Sequence, residues 1–176
     1  VYSQLMDHLI KKKNDVDAAD HLFQKMQLES FGGVKPNVVV YNILLRGLCN
    51  QQQGGLSKNG VGWHRQRCLE LLKEMGAGGI KPNTSTFNTL ISAAVSNGDQ
   101  EAASKLFRLM TDLKVEPDRM TFTTIMKHFS NQRQPEEVEK IFAQLDAGPF
   151  GGADKIAFNC LIGAYGKVGE LARAKE

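Results

Sequence analysis

Four short polar residues, Asn37, Asn83, Asp118 and Asp154, each stand just ahead of an apolar pattern with helical spacing. Their side chains are hydrogen-bonding groups of two kinds: a carboxylate only accepts, whereas an amide both accepts and donates. Such residues either cap the helix that follows or recognise the polar edge of a ligand. On sequence physics alone capping comes first, and the two roles are compatible at a helix mouth. Other chemistries find less support. Cys49, Cys68 and Cys160 are odd in number, hold no pair at metal-ligand spacing, and read as reduced thiols. His8, His21, His64 and His128 have no partners at metal-binding spacing. No G-x-x-x-x-G-K-[ST] loop occurs, and Gly76-Ala77-Gly78-Gly79 follows a helical pattern rather than a strand. The H-x-E…P-C-x-x-C deaminase signature is absent. The acidic residues are dispersed over helix surfaces. No enzyme activity, no cofactor and no small-molecule substrate are expected within this chain; a catalytic domain outside it stays open.

The elements that position these residues are repetitive. The chain has 176 residues, 41% hydrophobic and 23% charged, with a net charge of +3. That suits one domain or about five short repeats. The mildly basic balance permits a polyanionic partner without requiring one. No apolar run approaches the ~18 residues of a membrane span, so no membrane partner is expected. The chain starts at Val1 and stops at Glu176 inside a helical pattern, which is expected of a piece of a longer protein.

Val34-Lys35-Pro36-Asn37, Ile80-Lys81-Pro82-Asn83 and Val115-Glu116-Pro117-Asp118 share one pattern, followed four residues later by Tyr41, Phe87 and Phe122. A fourth copy keeps Asp154 and Phe158 but has Ala153 in place of proline. The aromatics stand 46, 35 and 36 residues apart, which gives a period near 35 with an insertion at about 51–66. From each aromatic runs one face of a helix, spaced i, i+3, i+4, i+7: Tyr41, Leu44, Leu45, Leu48; Phe87, Leu90, Ile91, Ala94; Phe122, Ile125, Met126, Phe129; Phe158, Leu161, Ile162, Tyr165. Tyr2, Leu5, Met6 and Leu9 have the same spacing. Second helices repeat it at Ala19, Leu22, Phe23, Met26; Cys68, Leu71, Leu72, Met75; Ala103, Leu106, Phe107, Met110; and Val138, Ile141, Phe142, Leu145. Gly98-Asp99 reads as a helix stop and N-cap, and Pro135 with Glu136 and Glu137 as a first turn. A lone helix pair cannot bury its stripe, whereas stacked pairs can. The fold class is all-α, an α-solenoid of helix-turn-helix repeats.

The Trp and Leu-Gly of the tetratricopeptide pattern are missing. Instead, Val-Lys-Pro-Asn-Val-Val-Val-Tyr-Asn-Ile-Leu-Leu-Arg-Gly-Leu-Cys and Ile-Lys-Pro-Asn-Thr-Ser-Thr-Phe-Asn-Thr-Leu-Ile-Ser-Ala closely resemble pentatricopeptide repeats. The repeats run over residues 1–37, 38–83 (with the insertion), 84–118, 119–154 and 155–176. The resemblance implies a right-handed superhelix that binds single-stranded RNA at about one base per repeat. It also implies a mitochondrial or chloroplast location and other RNA-processing proteins as partners. One base-reading residue follows the aromatic and the other closes the repeat, which pairs Ser3 with Asn37, Asn42 with Asn83, Asn88 with Asp118 and Thr123 with Asp154. Asn159 has no closing partner before Glu176.

Asp suits a base with a ring N–H, uracil or guanine; Asn suits a ring-nitrogen acceptor, cytosine or adenine. With the family's preference for pyrimidines after Asn and purines after Ser or Thr, the expected site is 5′-A-(C/U)-U-G-(pyrimidine)-3′. The resemblance also places Val39, Ser85, Met120 and Ile156 against the bases, with Ser85 a poor stacker at the U-reading site. Lys11 and Lys167 fall where the family often carries a phosphate-facing Lys. Arg46, Lys127 and Arg119 are further phosphate candidates, though a solvated helix face is the plainer reading of most. The insertion reads as a mobile loop. Its Trp63, His64, Arg65 and the nearby Arg67 either clamp RNA or, the preferred reading, leave Trp63 packed on the following helix. Two alternatives stand beside the RNA adaptor: a peptide-binding scaffold, and a guide module of a larger enzyme such as a protein-only RNase P.

Overall fold

The structure, a computed structural model, describes residues 2–13, 15–27, 35–50, 64–170 and 173. Among these residues there are nine α-helices and no strand: α1 (Tyr2–Lys13), α2 (Val16–Gln27), α3 (Val38–Asn50), α4 (Arg65–Ala77), α5 (Thr84–Ser96), α6 (Gln100–Asp112), α7 (Arg119–Asn131), α8 (Pro135–Asp146) and α9 (Lys155–Val168). The expected all-α repeat architecture is therefore present. Residues 51–63 of the insertion, with Trp63, lie outside the described residues. None of these helices is long and apolar enough to cross a membrane.

The chain forms two compact units, Val1–Ala93 and Ala94–Glu176. In the first, α1 packs on α2 and α3, α2 on α3, and α3 on α4. In the second, α6 packs on α7, α7 on α8 and α9, and α8 on α9. In both units a first helix, α1 or α7, touches its own second helix and the next first helix. This is how a repeat buries a stripe it cannot cover alone.

The cores are the predicted stripes. Phe23, Leu44, Leu45, Leu71 and Met75 are fully buried in the first unit, and Met110, Ile125, Met126, Val138 and Leu145 in the second. Each contributes about 1.5–3 kcal/mol by leaving water. The Phe23 and Tyr41 rings meet edge to face at 5.0 Å, a geometry aromatic quadrupoles favour. On the α3 face toward α1, a Cβ on Gly47 would lie 2.8 Å from Ile10 Cδ1, so the absent side chain lets the two helices approach. Punctuation is also as expected. Gly98 stops α5 at φ 68°, the Asp99 side chain accepts from the Ala102 N–H at 3.1 Å, and Pro135 opens α8. All three cysteines are free thiols; Cys49 and Cys68 are buried with their Sγ atoms 3.9 Å apart, and Cys160 is half-buried.

Two parts of the stripe differ. Leu5 is 47% exposed, and Phe158 and Ile162 are each 49% exposed, against 3% for Tyr41 and 7% for Phe122. Covering these positions takes a helix pair on both sides. The described helices lie only on one side of α1 and α9, where Phe158 leans edge-on against Phe142. On α7, Phe129 is only half-buried, while His128 and Ser130 are buried.

Burial holds the His128 imidazole below its ordinary pKa. Its Nε2 lies 3.2 Å from Ser104 Oγ and 2.7 Å from Gln132 Nε2. With the folded pKa depressed, the unfolded chain binds this proton more readily. Its contribution is complete above the unfolded value of about 6.5 and is lost as pH falls from there through the lowered folded value. Urea unfolding between pH 7 and pH 5 should therefore lose stability more steeply in the wild type than in His128→Asn. Equal slopes would contradict the assignment.

Candidate nucleic-acid interface

All four closing residues cap helices. Asn37 Oδ1 accepts from the Val40 N–H at 3.1 Å, and Asn83 Oδ1 from the Thr86 N–H at 3.0 Å. Asp118 Oδ1 accepts from the Thr121 N–H at 2.8 Å, and Asp154 Oδ1 from Ile156 and Ala157 at 3.0 and 2.9 Å. Each satisfies amides the helix leaves unpaired and places negative charge or a carbonyl dipole at its positive end. These bonds, with Arg119, hold the Asp154 carboxyl below the usual carboxylate range. Capping also fixes polarity. A capping Asn has its oxygen turned to the helix and only its NH2 to offer; a capping Asp can offer only further acceptance.

The residues after the aromatics lie one helical turn on. Ser3, Asn42, Asn88 and Thr123 are half-buried and Asn159 is exposed. Asn42 meets Asn83 directly, Nδ2 to Oδ1 at 3.2 Å. Thr123 Oγ1 donates back to the Arg119 carbonyl at 3.0 Å, which leaves its lone pairs to accept. Val39, Met120 and Ile156 are 52%, 59% and 60% exposed, three large apolar side chains held in solvent at one repeat position. Ser85, at the same position, is exposed too.

The cations divide sharply. Arg46 binds Asp7 at 2.5 Å, and Arg119 binds Asp154 at 3.3 Å and the Phe150 carbonyl. Arg67 bridges Asp20 and Glu74, each at 2.8 Å, and is only 21% exposed. Its guanidinium ties α2 to α4, so the RNA clamp considered for it is set aside. Arg46 and Arg119 likewise serve internal ion pairs. Lys11 is 61% exposed and pairs with Asp7 at 2.9 Å; this contact, then Arg46, keeps the Asp7 carboxyl ionised against its partial burial. Lys167 spans from α9 to Asn131 Oδ1 at 2.8 Å and stays exposed, as does Lys127. Exposed contacts of this kind contribute little to stability.

Sequence reading missed Thr86 and Thr121, whose hydroxyls complete the caps of Asn83 and Asp118 and whose side chains are buried. The available signal was Asn or Asp followed three residues later by Thr, a spacing of the capping-box kind. Among the described residues no three His, Cys, Asp or Glu gather as a metal site.

Helix pairs repeated at one period, with α3, α5, α7 and α9 each opened by a polar cap, define a helical-repeat protein. Family models agree on which. The pentatricopeptide repeat domain matches residues 70–132, the PPR repeat family residues 1–50, and the PPR repeat residues 120–146 and 156–176. The chain belongs to the pentatricopeptide repeat family. A chloroplastic pentatricopeptide repeat-containing protein of Arabidopsis thaliana is 30% identical over 144 residues, covering 81% of this chain and 17% of that protein. The fold is similar to the PPR domain of Arabidopsis thaliana protein-only RNase P 1, solved in complex with tRNA, with TM-score 0.72, 18% identity, and 98% and 82% of the two chains covered. It is also similar to maize PPR10 in complex with an 18-nt psaJ RNA element, with TM-score 0.59, 19% identity, and 99% and 27% covered. The chain spans less than half the length of the curated relatives it matches.

Proposed function

We propose that this chain is a single-stranded-RNA-binding module of a larger protein, reading about one base per repeat. The observation that supports it most is the polarity set by capping. Asn37 and Asn83 turn their oxygens to the helix and keep NH2 groups to offer a base; Asp154 turns Oδ1 inward, and its outer oxygen, which meets Arg119 at 3.3 Å, can only accept. A purely structural cap is served equally by Asn or Asp, and needs no exposed apolar residue such as Val39, Met120 or Ile156 beside it. The site read is 5′-A-(C/U)-U-G-(pyrimidine)-3′, with Val39, Met120 and Ile156 against the base faces.

Two RNA-binding readings differ in what the module serves. The likeness in fold is greater to the RNase P domain solved with tRNA than to PPR10, 0.72 against 0.59. This favours a guide module attached to an RNA-processing enzyme over a stand-alone adaptor, with any chemistry residing outside this chain. A peptide-binding groove stands behind both, because it has no use for paired amide and carboxylate groups at one per repeat. An organelle is the proposed place of action, in keeping with the chloroplastic relative.

The test is fluorescence anisotropy with single-stranded RNA carrying ACUGC and with a duplex of the same length, across salt. About three phosphates, at Lys11, Lys127 and Lys167, give a log–log salt slope near −2, from roughly −0.7 per contact. Single-strand preference with that slope is expected. Equal binding to the duplex, or binding indifferent to salt, would contradict the proposal.

A further inference from the structure

The Asn42/Asn83 site contains a third side chain that reaches no base. Thr86 lies one residue before Phe87, at the start of α5, and is 0% exposed. Its backbone N–H must have an acceptor, and Asn83 Oδ1 provides it at 3.0 Å. That fixes which way the Asn83 amide points. Asn42 faces the same oxygen at 3.2 Å, so the atom it presents there must be the donor, Nδ2. Asn42 Oδ1 then falls 2.7 Å from Thr86 Oγ1. The hydroxyl accepts from the Asn83 N–H at 3.1 Å and has a single proton to give. Two acceptors are within reach, since Asn83 Oδ1 is also 3.0 Å away. That oxygen already receives two N–H groups, whereas Asn42 Oδ1 is nearer and has no other donor among the described residues. The proton goes to Asn42.

We infer that Thr86 is a positioning residue that, with Asn83, locks the amide orientation of Asn42, so that both asparagines turn their oxygens inward and face RNA with donors: the NH2 of Asn83 and the one N–H of Asn42 not spent on Asn83. Resting on the base-reading role proposed above, it resolves the open C/U choice at this position. Cytosine offers acceptors at N3 and O2, whereas uracil carries a proton on N3. Two presented donors therefore select cytosine. Thr121 Oγ1 lies 2.9 Å from the oxygen of its own cap, Asp118 Oδ1, and a carboxylate has two like oxygens and no orientation to set.

The test uses the chain with ACUGC and AUUGC probes, reading the ratio of the two affinities. Thr86→Val and Thr86→Ala remove the hydroxyl. Both side chains already occupy this repeat position: Val40 donates its N–H to Asn37 at 3.1 Å, and Ala157 donates to Asp154 at 2.9 Å. The C:U ratio should fall about fivefold in both variants, the loss of one net hydrogen bond. Thr86→Ser should restore it, and Thr121→Val should leave it unchanged. If Thr86→Val and Thr86→Ala keep the wild-type ratio while Asn83→Asp shifts it toward U, the positioning role is wrong and base reading stands. If Asn83→Asp also leaves the ratio unchanged, the base-reading role itself is overturned, and this inference with it.

Discussion

Replacing Asn83 with Asp is expected to exchange C for U at the base read with Asn42. Asp caps a helix as well as Asn does, so the Thr86 N–H keeps its acceptor and α5 its first turn. What changes is the group left over: an amide NH2 becomes a carboxylate oxygen. Against cytosine this sets an acceptor facing acceptors. Against uracil it gains the N3–H. Losing a hydrogen bond to one base while making one to the other is worth roughly 2–3 kcal/mol, or about a thirty- to 150-fold change in the C:U ratio. Anisotropy with ACUGC and AUUGC measures it, with circular dichroism to confirm the fold. An unchanged ratio would remove Asn83 from base reading and leave it a cap alone.

Phe87→Ala should cost about 3–5 kcal/mol of unfolding free energy, the range for emptying a buried phenylalanine site. Phe87 is 0% exposed in the first unit. A fold of this size has only about 5–15 kcal/mol to lose. Phe158→Ala, at the same position of its repeat, should cost about 1–2 kcal/mol, because that ring is 49% exposed and already half in water. Urea denaturation of the two variants compares them directly. Equal costs would mean that the neighbouring helix pair is not what distinguishes the two positions.

The contrast between these rings marks what the sequence could and could not carry. The 3.6-residue periodicity names the face of every helix, because that face depends on local spacing alone. It does not say whether a neighbour covers the face, which is why Leu5, Phe158 and Ile162 are predicted core yet stand in solvent. The caps at Asn37, Asn83, Asp118 and Asp154 are legible because a cap bonds within three residues of itself. Long-range polar partners are not. Arg67 finds Asp20 across 47 residues and Arg46 finds Asp7 across 39, so cations read as a solvated face, or at most as phosphate candidates, hold helices together through partners that no local pattern names. His128 lies off the apolar stripe, and although Gln132 is its neighbour four residues on, nothing local announces that Ser104 reaches it across 24 residues. Thr86 falls between the two cases: its cap is local, but its bond to Asn42 spans 44 residues.

The central claim, that an ordered ladder of caps and their partners reads an ordered sequence of bases, is tested most directly by reversing the RNA. Anisotropy with ACUGC and with the same five bases in the opposite order holds charge, length and composition constant. Preference for the forward probe that weakens as salt rises is the predicted result. Equal affinity for both probes at every salt concentration would contradict it, leaving a basic surface without base readout.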